Sequence, residues 1–292
     1  MYRVIALMLP TLLSAADLTI DHVTVAGTDL KKMRAGLASV GIQSEFGGLH
    51  SNQATEMALT SFSDGSYLEL IAIQPNADPK AVAEHYWSKQ MKTEAGPAAW
   101  AVRAKDVAAE VQRLKTAGVT VSDPVRSGRQ RPDGVQLEWE AARVGAEPNG
   151  TFFPFLIRDF TPRQQRVYPA GKPTTRDFSG VVKVVIAVRD LKASVARFRE
   201  AYGLPAPIQQ ADANFEAHLA LLGGTPVILA APITAQSWLA ARLEQVGEGP
   251  CAFILTVRKE SPYKAASKTR WFGKDISWLD TEKLGWRLGF QQ

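Results

Sequence analysis

Apolar and polar positions follow one scheme three times along the chain. A short apolar strand is followed by an Asp, then an amphipathic helical stretch, then a Gly. The first copy runs from His22 through Asp29 to Gly41, the second from Ala99 through Asp106 to Gly118, and the third from Lys183 through Asp190 to Gly203. The Asp-to-Gly spacing is 12, 12 and 13 residues. Each Asp is placed to cap the first free N–H groups of a helix. Apolar residues such as Val111, Leu114 and Ala117 recur at helical spacing, and the Gly closes the helix where φ > 0 is favoured. Strand-like segments follow each Gly: 42–46, 54–62 and 66–73 in the first copy, 119–121, 135–140 and 151–157 in the second, 215–222 and 226–231 in the third. The order is β-α-β-β-β each time. A degenerate fourth copy starts at Ala252, with a short helical stretch at 259–268 broken by Pro262 and two aromatic strands at 271–280 and 284–290. An additional helix is expected over 80–91, opened by Asp78-Pro79.

The scheme implies an α+β protein. The Pro/Gly/Thr-rich run from Tyr168 to Asp177 reads as a linker. The expected organisation is a two-module N-terminal domain at 17–165, a linker at 166–179, and a C-terminal domain at 180–292 holding one module and the degenerate one. The first sixteen residues stand apart. Arg3 precedes the apolar run 4–13, and Ser14-Ala15-Ala16 offers a small-residue cleavage site. That is the layout of a secretory signal peptide, and it leads to an expectation of a periplasmic or secreted protein.

Composition narrows the classes. Apolar residues make up 46% and charged residues 22% of the 292, as in a globular protein with a sizeable core. The net charge of +5 comes from scattered Lys and Arg, so nucleic acid is not the expected partner. No apolar run in the mature chain is long enough to span a membrane. Cys251 is the only cysteine, so no intrachain disulfide forms. No GxSxG elbow, P-loop, GxGxxG, HExxH or CxxC occurs. The expected partner is a small molecule, with a homodimer as the candidate assembly.

Candidate chemistry sits in the first module. The apolar strands Ile20–Val25 and Tyr67–Ile73 are interrupted by His22 and Glu69, side chains that are costly to bury unless paired or ligated. His50 follows Gly47-Gly48, and Glu56 lies on the next strand. If Glu56 faces the cup, Ala58 and Thr60 do so too, and Met57 and Leu59 turn to the helix side. Arg126, Arg129 and Arg131 fall in a segment read as a loop before Asp133-Gly134, where guanidinium groups would read an anion. Arg129, Arg131, Glu56 and Tyr67 are the candidate substrate contacts. His85 is read as a packing or surface residue of the additional helix.

The repeated modules resemble the vicinal oxygen chelate superfamily, the glyoxalase/bleomycin resistance/dioxygenase-like fold. Gly47-Gly48-Leu49-His50, Thr55 and Asp64-Gly65-Ser66-Tyr67-Leu68-Glu69 resemble its glyoxalase-like domain proteins. So do Arg131-Pro132-Asp133-Gly134, Leu137-Glu138-Trp139 and Pro154-Phe155-Leu156-Ile157. The resemblance implies paired modules forming curved mixed sheets around a cup, with helices outside. It also implies metal ligands on the first and last strands of paired modules. His22 and Glu69 match two of those positions. Ala99 and about Pro154 or Phe155 stand at the other two, so half of the four-ligand pattern is absent. His50 is the candidate third ligand. Two readings stay open: a divalent ion (Zn, Mn, Fe or Ni) on His22, Glu69 and His50, or a metal-free His–Glu cluster moving protons. Isomerase, lyase or dioxygenase chemistry is the implied activity, and a non-catalytic binding or sequestration protein of the same fold is the alternative.

Overall fold

The computed structural model describes residues 18–146, 148, 150–258 and 262–292. The candidate signal peptide at 1–16 lies outside the described residues. The first module comprises β1 (Ile20–Ala26), α1 (Leu30–Ser39), β2 (Glu45–His50), β3 (Thr55–Ser61) and β4 (Tyr67–Ile73). Two short helices follow, α2 (Pro79–Glu84) and α3 (Ser88–Lys92). The second module is β5 (Gly96–Arg103), α4 (Val107–Thr116), β6 (Val125–Gln130), β7 (Gln136–Ala142) and β8 (Phe155–Asp159), followed by α5 (Arg163–Val167). The third is β9 (Phe178–Ala187), α6 (Leu191–Tyr202), β10 (Ile208–Asp212), β11 (Ala217–Leu221) and β12 (Val227–Pro232), followed by α7 (Trp238–Val246). The fourth is β13 (Gly249–Val257), β14 (Ser267–Trp271), β15 (Lys274–Trp278), α8 (Thr281–Leu284) and β16 (Arg287–Gln291). Among its described residues it has no helix between its first two strands.

The expected caps form. The carboxylates of Asp29, Asp106 and Asp190 accept hydrogen bonds from the N–H groups of Lys32, Ala109 and Ala193. Each satisfies an orphan donor of the first helical turn. The helix expected over 80–91 is instead two helices, interrupted at His85–Trp87. Asp78 and Pro79 start it as the sequence indicates.

The first two modules close an eight-stranded barrel in the order β1-β4-β3-β2-β6-β7-β8-β5. Modules therefore pair within one chain, through β1–β5 and β2–β6. The second seam needs Gly48 of β2, and the packing of β2 against β3 needs Gly47. A Cβ on Gly48, whose φ is +113°, would lie 2.3 Å from the Gln130 carbonyl oxygen, and one on Gly47 would lie 2.0 Å from Met57 Sδ. Only a residue without a side chain lets β2 approach β6 this closely at Gly48, and at Gly47 it leaves room for the Met57 side chain of β3. The last two modules form an eight-stranded sheet, β10-β11-β12-β9-β13-β16-β15-β14.

The largest core fills the space between the two sheets. Val23, Leu68 and Trp100 from the barrel meet Val184, Ile186 and Phe253 from the second sheet. Hydrogen bonds also join the halves: the Val181 N–H donates to Ser66 Oγ (3.0 Å), and Arg242 donates to the Ala95 carbonyl (2.6 Å). No helix among the described residues is long and apolar enough to cross a membrane.

Candidate active site in the N-terminal barrel

Parallel pairing of β1 with β4 sets Tyr67 beside His22 and Glu69 beside Thr24. All four project to one face, because strand side chains alternate. That face lines a cavity of about 470 Å³, within the range usual for small-molecule sites. The His22 ring stacks on Tyr67 at 4.7 Å between centroids and meets Phe155 edge-on at 5.3 Å. Thr24 donates its hydroxyl to Glu69 Oε2 at 2.9 Å. His50, at the end of β2, enters the same space with its Nδ1 2.8 Å from Thr55 Oγ1.

The outward nitrogen of His22 is held by its chain neighbour. Nδ1 lies 2.7 Å from Asp21 Oδ1. Strict alternation would turn Asp21 away, but the β1–β5 register shifts between Ile20 and His22. A bulge of this kind re-aims a side chain. Behind Asp21 lies a buried cluster. Arg166 donates to both Asp21 oxygens at 3.0 Å and to the Tyr67 hydroxyl at 2.6 Å, and it also pairs with Asp159. Arg163 pairs with Asp21 and donates to the Gly65 carbonyl at 2.6 Å. Burial alone would raise the Asp21 carboxyl. Arg166, the His22 hydrogen bond and Arg163 outweigh it and hold the carboxyl well below its usual range. Asp21 is therefore an anion that only accepts, so Nδ1 of His22 carries a proton, and the tautomer this fixes presents Nε2 to the cavity.

The cavity-facing atoms approach without bonding. His22 Nε2 is 3.9 Å from Glu69 Oε2, and His50 Nε2 is 3.8 Å from Glu69 Oε1. Both separations exceed a hydrogen bond. Burial pulls His50 down to about 4 against the opposing charge of Glu69, with Arg129 adding to the depression. His50 is thus neutral at physiological pH. Burial raises the Tyr67 phenol, so Tyr67 stays protonated.

Two imidazole nitrogens and a carboxylate are the donor types that suit Zn²⁺, Mn²⁺, Fe²⁺ or Ni²⁺. Ligands sharing one ion at about 2.1 Å lie roughly 3.0–3.4 Å apart, closer than the 3.8 and 3.9 Å separations here. Among the described residues, no group of three or more His, Cys, Asp or Glu side chains is placed to hold a metal ion. The trio has the donor types of a metal site without its spacing, so the chemistry below uses only the chain's own protons.

The remaining candidates divide. Arg129 is buried in the cavity wall on strand β6, not in a loop, and donates to the carbonyls of Gly47 and Arg166. Arg131 does not reach the cavity. It is tied to Asp133 at 2.6 Å and to the carbonyls of Gln165 and Pro169. Glu56 is on the wrong face. Register pairs Leu59 with Glu69 and Met57 with Ile71, so Met57 and Leu59 face the cup. Glu56 pairs with Ala72 on the outer side. Alternation in the sequence defines two faces but not which one is inside.

Sequence reasoning missed several site residues. His85, Tyr86 and Trp87 line the cavity from the break between α2 and α3. Arg166 and Val167, at the start of the stretch read as a linker, are buried, Arg166 behind the site. Trp139 also lines the cavity, and so does Arg126, which the sequence places with Arg129 as a candidate anion contact; Arg126 stacks on Phe160 at 4.2 Å.

This architecture is that of the vicinal oxygen chelate superfamily. The chain belongs to the family described as the glyoxalase-like domain, whose model matches residues 20–183. A hypothetical protein from Staphylococcus aureus aligns over 93% of this chain and 98% of its own, with TM-score 0.63 and 15% identity. A mutant of 4-hydroxymandelate synthase from Streptomyces coelicolor aligns over 82% of this chain and 71% of its own, with TM-score 0.51 and 11% identity. Methylmalonyl-CoA epimerase from Mycobacterium tuberculosis aligns over 39% of this chain and 87% of its own, with TM-score 0.34 and 17% identity. A search of curated proteins finds no match.

Proposed function

We propose that the protein is an enzyme that moves a proton on a small organic molecule bound in the N-terminal barrel, an isomerase- or lyase-type activity. One observation carries this reading. Three polar atoms, His22 Nε2, His50 Nε2 and a Glu69 oxygen, face one cavity at 3.8–3.9 Å without bonding each other. The far sides of both rings and one Glu69 oxygen are fixed by Asp21, Thr55 and Thr24. A buried polar cluster serving only stability would close on itself. This one leaves its cavity-facing polar atoms to a bound molecule.

Glu69 takes a proton from a carbon next to a carbonyl, and the electron pair moves to the carbonyl oxygen. The Glu69 carboxyl then passes that proton to His22 Nε2, which regenerates the Glu69 carboxylate, and the Asp21 carboxylate stabilises the imidazolium that forms. Return of that proton to a different face or atom of the substrate gives isomerisation. Loss of a leaving group from the adjacent carbon gives elimination. Acid–base catalysis of this kind contributes roughly 10²–10⁴-fold.

Incubation in D₂O with a panel of small carbonyl compounds, followed by NMR, tests the reading. Deuterium should enter an α-position with the wild type and be slowed by about 10²-fold or more in Glu69→Gln and His22→Ala. Exchange that is absent, or indifferent to both substitutions, would leave the alternative of a binding protein, which the apolar wall of Trp87, Trp139 and Phe155 favours. Elemental analysis of the same preparations decides whether a divalent ion draws the trio together. We further propose export, carried by the leader-like first sixteen residues, and N-terminal sequencing of the mature protein checks it.

A further inference from the structure

Two features of the cavity wall are unused by the proton-transfer reading, and both point to a negatively charged guest. The first is Arg129. It is 3% exposed and donates to the Gly47 and Arg166 carbonyls. No carboxylate among the described residues forms an ion pair with it. A buried cation bound only by neutral acceptors keeps most of its charge uncompensated. Glu69 offsets part of that charge from across the cavity without forming an ion pair with it. Arg166 is matched by Asp21 and Asp159. Among the described lining residues, Arg126 and Arg143 add positive charge at the wall, and Glu69 and Glu84 are the carboxylates.

The second feature is His85. Its Nδ1 accepts a hydrogen bond from the Trp87 N–H at 3.2 Å, so Nδ1 cannot carry a proton. Burial pulls this ring down to about 4, so it is neutral at physiological pH. The proton of a neutral ring with Nδ1 accepting must sit on Nε2. No hydrogen bond from that Nε2 to a described residue is formed, and the ring lines the cavity. The tight backbone turn between α2 and α3 fixes both its position and its tautomer.

We propose that the molecule bound in the N-terminal barrel is an organic acid with an apolar, ring-sized body. Its carboxylate accepts the Nε2–H of His85 and lies in the field of Arg129, and its body rests on Trp87, Trp139 and Phe155. This rests on the proton-transfer reading and supplies its substrate class. His85 is a specificity-determining residue: it selects an acceptor at this place and repels a second donor.

The test uses 2-naphthoate and its neutral counterpart 2-naphthalenemethanol as probes, titrated calorimetrically into the full-length protein. The wild type should bind naphthoate at least about tenfold more tightly than the alcohol, the scale of one hydrogen bond to a charged group. His85→Phe keeps a ring but no donor and should narrow that preference by about tenfold. His85→Gln, which can donate, should restore part of it. Arg129→Lys, which keeps the charge, should hold the preference, and Arg129→Met should lose it. An unchanged melting temperature for His85→Phe shows that the fold survives. Failure of naphthoate to bind the wild type, or a preference that His85→Phe leaves intact, overturns the proposal. Binding needs no turnover. Glu69→Gln should still bind naphthoate, and more tightly, so a failed exchange assay with intact acid selectivity faults the chemistry and not the substrate class.

Discussion

The two halves of the molecule use equivalent positions for opposite ends. In the first cup, His22, Thr24 and Glu69 face an open cavity. In the second, Lys183, Val185 and Ile228 stand at the matching register positions, and the interior is solid. Phe215 packs edge-on against Trp271 at 4.8 Å and lies 5.3 Å from Trp278. Leu239 and Leu243 of α7 fill the remaining space. The segment between the paired modules decides the difference. In the second half it is the nine-residue helix α7, laid into the cup with its apolar face inward. In the first half it is two short helices broken at His85–Trp87, and the break lines the space instead of filling it. The same fold thus supports a packed core where its strands are apolar, and a site where three polar side chains are held by neighbours on their far sides.

The largest expected effect comes from the buried cluster that makes the first cup possible. Arg166→Leu leaves Asp21 and Asp159 without their main partner and should destabilise the protein by about 3–5 kcal/mol in urea denaturation. Trp271→Ala opens a void in the second cup and should cost about 3–4 kcal/mol, while naphthoate binding in the first cup stays unchanged. A change in binding would mean that the cups are coupled.

Acidification sharpens the contrast further. Burial depresses His50 to about 4 in the folded protein, so the unfolded chain takes up the proton first, near pH 6.5. Stability should therefore fall as the pH drops from about 6.5 to about 4, by up to roughly 1.4 kcal/mol per pH unit for this one group. His50→Gln should remove that share of the slope. Asp21, held well below its usual range, contributes stability that is lost only at lower pH, as the carboxyl protonates in the fold.

The smallest effect is the most telling about purpose. Glu69→Ile installs the residue type of the second cup and should change stability by no more than about 1 kcal/mol. It removes a buried carboxylate and leaves only the Thr24 hydroxyl without its acceptor. An activity lost at so small a change in stability marks Glu69 as kept for function.

Much of the fold was legible because it rests on local signals. The Asp caps, the strand periodicity and the repeated module order are written within about thirty residues of chain each. His22, Glu69 and His50 stood out because polar side chains interrupt apolar strands or follow a glycine pair. What lay hidden depends on long-range register. Asp21 reaches its place through a bulge that only pairing with β5 defines. Arg166 meets Asp21 across 145 residues. Glu56 was assigned to the cup because alternation carries no sign, and His85 was read as packing because one continuous helix was expected where the chain breaks.

Nitrogen-15 NMR of the imidazole side chains, followed from pH 7 downward, reads each tautomer and charge separately, since the chain has only four histidines. The account predicts a proton on Nδ1 of His22 and on Nε2 of His85, with His50 and His85 neutral until about pH 4. Titration of His50 and His85 near the ordinary histidine value of about 6.5, or a neutral His22 with its proton on Nε2, would contradict it.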